Sequence, residues 1–171
     1  MPDKLLPVKA DTVQDFMDNA HKAIGDDTKI GDTSSKLSLK FDTDSKTKMI
    51  KSATFSLTTS ITRAHWVGAA KVKPDKENEA AIKKIESLNK AHEEAHRKGY
   101  EAAFKKNKDA LEKELVGMKP DDADQVVKKM QAALTKACED LHKKGGMIDF
   151  VDNGKGKITV AESAEGPGGC D

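Results

Sequence analysis

Residues 82–103 read IKKIESLNKAHEEAHRKGYEAA, and this stretch decides the fold. Ile82, Ile85, Leu88, His92, Ala95/His96, Gly99 and Ala103 recur at steps of three and four, the period of an amphipathic helix. Pro74 and Asp75 open the pattern, Leu111 and Leu115 extend it, and GMKPD breaks it. A long helix over about 76–116 follows, with Gly99 as the place where it can soften. Asp121 or Asp122 then caps a second helix whose stripe is Val126, Val127, Met130, Leu134, Cys138 and Leu141, stopped by Gly145 and Gly146.

Inside the long helix, His92-Glu93-Glu94-Ala95-His96 is an H-E-x-x-H motif. Two histidines four residues apart leave one helix face together, so both imidazoles can reach a single ion at about 2.0–2.1 Å. The intervening glutamate can hold a water on that ion and accept its proton, and zinc brings the water's pKa near 7. For a chain of this composition the chance expectation of such a match is roughly 0.01, low enough to treat the motif as a candidate site. The expected ligands are therefore His92 and His96 to Zn2+, with Glu93 as general base. The bland alternative is a satisfied histidine pair on a charge-rich helix.

A third ligand is required. Glu112 and Glu114 stand at suggestive sequence distances, but Glu114 lies 18 residues beyond His96, roughly 27 Å along an unbroken helix. If the two long helices form an antiparallel hairpin, positions of equal height sum to about 238, which sets His142 level with His96. His142 is the preferred candidate. A last-turn histidine is also favoured there for its charge alone, and His65 beside Trp66 is the fallback. Tyr100, one turn past His96, is placed to hydrogen-bond a tetrahedral intermediate or simply to pack in the core.

The remainder of the chain predicts a small sheet. Leu37, Leu39 and Phe41 alternate with polar residues, as do Ala53, Phe55, Leu57, Thr59 and Ile61, so the region 36–67 reads as an antiparallel pair. Its second strand, near 50–67, is expected to line the cleft. A short helix over about 12–24 precedes it, capped by Asp11 or Thr12 and stopped by Gly25, and residues 25–35 read as turns. Residues 147–162 form a β-hairpin around Asn153-Gly154. The fold class expected is α+β, a small antiparallel sheet on a long antiparallel helical hairpin, zincin-like. One domain covers 1–162, with N-terminal helix and linker (1–35), β region (36–67), helical hairpin (75–145) and β-hairpin (147–162); 163–171 is a flexible tail.

Composition narrows the function. Lys plus Arg number 30 and Asp plus Glu 29, interleaved rather than segregated, which excludes nucleic acid as the main partner. No run approaches the roughly 18 apolar residues of a membrane span. The N-terminal residues lack an apolar signal core, so a soluble protein starting in the cytoplasm is expected. Cys138 and Cys170 match no metal spacing; they can pair or both stay free, and two unrelated thiols is the preferred reading. Nothing in the residues sets an oligomeric state.

The order of a β segment ending in Arg63-Ala64-His65-Trp66, a linker, and a helix carrying Leu88-x-x-x-His92-Glu93-x-x-His96 resembles a bacterial family of predicted zinc-dependent proteases, catalogued as a domain of unknown function. The resemblance spans about residues 37–150. It implies zinc, Glu93 as base, and a downstream histidine ligand, for which His142 is the candidate. The function expected is thus zinc-dependent hydrolysis of a peptide or protein substrate. The alternative is a non-enzymatic helical interaction protein in which HEEAH is incidental or a structural metal site.

Overall fold

A computed structural model describes residues 2–155, 157–164 and 170. It is α+β, with three helices, a three-stranded sheet and a two-stranded ribbon. The strands are β1 (Lys4–Val8), β2 (Gly31–Thr43), β3 (Ile50–Trp66), β4 (Gly146–Asp152) and β5 (Ile158–Ala164). The helices are α1 (Val13–Ile24), α2 (Lys76–Leu115) and α3 (Ala123–His142).

Local chemistry explains most boundaries. Thr12 caps α1 by accepting from the Asp15 amide at 3.1 Å, and Gly25 ends it in a left-handed conformation. Asp11 is not the cap; its carboxylate accepts from the amides of Ala70 and Lys71 and ties down the linker before α2. Asp75 caps α2 through the Asn78 amide. Pro120–Asp122 makes a short 3-10 turn that leads into α3.

The antiparallel pairing of β2 with β3 follows the alternation, but β2 begins at Gly31, so the segment read as turns is strand from there on. Residues 31–36 are polar and lack an apolar alternation of their own; their partners Thr58–Arg63 on β3 hold them in register. β1 was not foreseen. It pairs in parallel with Thr62–Trp66 and makes β3 the central strand, in the order β1-β3-β2. β4 and β5 pair antiparallel across Asn153-Gly154, as the turn chemistry requires.

The helical hairpin expected from the sequence is short, with two antiparallel arms of unequal length. α2 has 40 residues and α3 only 20, so α3 runs back along the C-terminal half of α2. The N-terminal half packs Ile82 and Ile85 with Val8, Phe16 and Ala64 of α1, β1 and β3. The C-terminal half packs Leu115 with Ile50, Phe55, Val126 and Met130. The site lies between these two cores. Gly99 does not soften α2, which is continuous through it. A Cβ at Gly99 would sit 3.9 Å from Ala137, an ordinary contact, so Gly99→Ala is expected to stabilise the fold by about 0.5–1 kcal/mol in chemical denaturation, through helix propensity alone.

Cys138 and Cys170, expected as unrelated thiols, form a disulfide with Cα atoms 5.9 Å apart. The ribbon explains this. Pairing of Gly146 with Ala164 returns the chain to the end of α3, within reach of Cys138. Of the tail expected to be flexible, 165–169 and 171 lie outside the described residues. Among the described residues no helix is long and apolar enough to cross a membrane.

Candidate metal centre

The interior face of α2 changes character midway. Its buried positions run Ile82, Ile85, Asn89, Glu93, His96 and Tyr100, so the apolar stripe is continued by polar groups at the same helical steps. Glu93 is 4% exposed and His96 6%. Buried groups of this kind need partners or a function.

α3 supplies the first. Nε2 of His96 lies 2.9 Å from Nε2 of His92 and 2.9 Å from Nε2 of His142. One ligand nitrogen from each ring lies within 4.8 Å of the other two. The rings of His92 and His142 are parallel, and His96 stands nearly perpendicular to both. A single Nε2 carries one lone pair or one hydrogen, so His96 cannot bond both neighbours as a neutral ring. Three convergent imidazole nitrogens instead match the donor set of a zinc ion, whose tetrahedral geometry wants nitrogens about 3.4 Å apart.

Burial first, then the neighbouring His92 and His142, then Lys29 push His96 down to a pKa of about 3. His96 is therefore neutral at ordinary pH, the form that metal coordination requires. Because the folded-state value lies below the unfolded value of 6.5, this group's stabilisation is present above about pH 6.5 and is lost as pH falls toward 3. Metal-free protein should lose stability over that window. Thermal melts from pH 7 to pH 4 check it, with His96→Gln expected to flatten the acid limb. Nδ1 of His96 is buried without a hydrogen-bond partner among the described residues, so the ring's tautomer is left to whatever Nε2 binds.

Glu93 faces the opposite wall. Its Oε2 accepts from the Thr33 hydroxyl at 2.6 Å, which also lies 3.0 Å from the Glu93 carbonyl. Asn89 donates to the Ile30 carbonyl at 3.2 Å. Both side chains press against the bare backbone of Gly31, where a Cβ would fall 2.6 Å from Asn89 Oδ1 and 2.7 Å from Glu93 Oε1. Tyr100 stacks on His96, and burial raises its phenol pKa, so it stays a protonated donor. On the far side, Glu162 of β5 brings Oε1 to 3.9 Å from Nδ1 of His92. Carboxylates hydrogen-bonded to that nitrogen orient metal-binding histidines, and Glu162 stands within about 1 Å of such a contact.

The cluster opens into a cleft of about 560 Å³ whose rims include Gly31–Thr33 of β2 and Gly146–Asp149 of β4. The strand lining it is thus the start of β2, at the sheet edge, and not β3, which is central. The other ligand candidates lie elsewhere. His65 pairs with Glu86 at 2.9 Å, Glu112 accepts from the Phe55 amide, and Glu114 pairs with Lys129. Sequence reasoning missed Gly31, Thr33, Asn89 and Glu162. For Asn89 alone a signal existed, its place four residues before Glu93 on one face.

Fold and site together define an α+β protein with a three-histidine cluster, two of its rings buried, and a buried carboxylate in an open cleft. Residues 5–149 match the family described as "Bacterial protein of unknown function (DUF922)", and the chain belongs to it. No curated protein and no solved structure matches significantly.

Proposed function

We propose that the protein is a zinc-dependent peptidase, with His92, His96 and His142 as ligands and Glu93 as general base. The observation that carries this reading is the meeting of three imidazole nitrogens from two helices beside a buried carboxylate, at the floor of a cleft. When bound, zinc would bring a water's pKa toward neutrality and polarise the scissile carbonyl.

The chain's own residues supply the rest. Glu93 accepts the proton of the attacking water and delivers it to the departing amine. Thr33 holds Glu93 by its hydroxyl, and Tyr100 offers a donor beside His96 to the oxygen that gains charge. The free edge of β2 and the start of β4 suit an extended peptide, which pairs through its main chain. The disulfide favours work in an oxidising compartment over the cytoplasmic start expected from the N-terminal residues.

The test is elemental analysis of untagged protein together with a peptide-hydrolysis screen. About one zinc per chain is expected, lost in His92→Ala and in His142→Ala, with hydrolysis abolished by chelation and restored by zinc. Wild-type protein that takes up no zinc at neutral pH ends the proposal. Zinc held firmly with no hydrolysis of any peptide leaves a structural metal site instead.

A further inference from the structure

The third histidine has a second face. While its Nε2 meets His96, its Nδ1 sits 3.5 Å from Sγ of Cys170. Cys138 stands four residues before His142 on α3, so both leave the same helix face. One ligand atom each from Cys138, His142 and Cys170 lies within 4.8 Å of the other two. Cys138 and His142 are buried. With the disulfide closed, the two sulfurs are bonded to each other and offer His142 only weak acceptors.

We propose that Cys138, Cys170 and Nδ1 of His142 form a second, redox-gated site for a thiophilic divalent ion such as Zn2+, latent until the disulfide is reduced. The step balances with a dithiol as reductant. The Cys138–Cys170 bond breaks and gains two electrons and two protons, while the dithiol closes to its own disulfide. The incoming ion then displaces the two thiol protons and is held by two thiolates and one imidazole nitrogen, a soft set that suits zinc. Cα atoms 5.9 Å apart let the freed thiolates diverge by side-chain rotation about a shared ion.

The gate has a consequence for the first cluster, and this part rests on the zinc reading given above. A neutral imidazole has one lone pair, so a metal on Nδ1 leaves the proton on Nε2. Loading the second site therefore withdraws His142 from His92 and His96. The redox state of one disulfide decides which set owns the shared ring.

Cobalt(II) titration tests this, because thiolate-to-cobalt charge transfer gives a near-ultraviolet band that histidine ligands do not. The full chain is titrated oxidised, and again after dithiothreitol reduction and anaerobic desalting, with far-ultraviolet circular dichroism at each step. Oxidised protein should show no band, and reduced protein a band that saturates. Cys138→Ser, Cys170→Ser and His142→Ala should each lose or weaken it. His92→Ala should keep it after reduction, an arm that separates this site from the three-histidine centre. Reduced wild-type protein without the band overturns the proposal, as does a band that survives both serine variants. A reduced chain that has lost its helical signal with cobalt present overturns it equally.

Discussion

Glu93→Gln is expected to lower peptide hydrolysis by about 10²–10⁴-fold while the zinc content stays at that of the wild type. Glutamine matches glutamate in shape, and its amide oxygen can still accept from the Thr33 hydroxyl that now bonds Oε2 at 2.6 Å. What it cannot do is take a proton from water. The variant therefore separates positioning from proton transfer. Its melting temperature should stay at or above that of the wild type, because a buried, 4%-exposed carboxylate is replaced by a neutral group that needs no desolvation of charge. Parallel measurement of kcat/KM, zinc stoichiometry and thermal stability checks all three. Hydrolysis at the wild-type rate would remove Glu93 from the mechanism.

The second large effect is expected from a single methyl group outside the motif. Gly31→Ala places a Cβ 2.6 Å from Asn89 Oδ1, 2.9 Å from Asn89 Nδ2 and 2.7 Å from Glu93 Oε1. The neighbours are buried side chains with bonds of their own, to the Ile30 carbonyl and to Thr33, so giving way breaks one or both. Overpacking of this kind costs about 1–3 kcal/mol. Displacing Glu93 by even about 1 Å can lower kcat/KM by up to about 10²-fold. Zinc binding should change far less, because the atoms nearest that Cβ belong to Asn89 and Glu93 and to none of the three histidines. A Gly31→Ala protein as stable and as active as the wild type would show that this wall is looser than its distances imply.

Local periodicity made some of this architecture legible. The apolar steps from Ile82 to Leu115 gave the bounds of α2 to within a residue, and Asn153-Gly154 located the ribbon's turn. Counting along two helices joined by a short turn set His142 level with His96, and their Nε2 atoms stand 2.9 Å apart. What stayed hidden depends on partners distant in sequence. Nothing in KLLPV announces a strand; residues 4–8 become one because β3 offers an edge at residues 62–66. The polar start of β2 reads as turn until Glu93 and Asn89 are seen against it. Glu162 and Cys170 arrive only because the ribbon, whose own pairing was legible, docks against α2, a contact that no spacing encodes.

The continuity of α2 also bears on motion. At 40 residues, roughly 60 Å, it is a single rod without proline or hinge, clamped at one end by the sheet and α1 and at the other by α3. His92, Glu93 and His96 sit near its middle, between the two clamps. A substrate that needs the cleft wider cannot obtain it by bending this helix. The facing wall is the β4–β5 ribbon, a separate element joined to α3 at Gly145–Gly146, where Gly146 adopts a φ of 141° that few other residues tolerate. Any widening of the cleft thus falls to the ribbon, while Glu93, His92 and His96 keep their places on the rod.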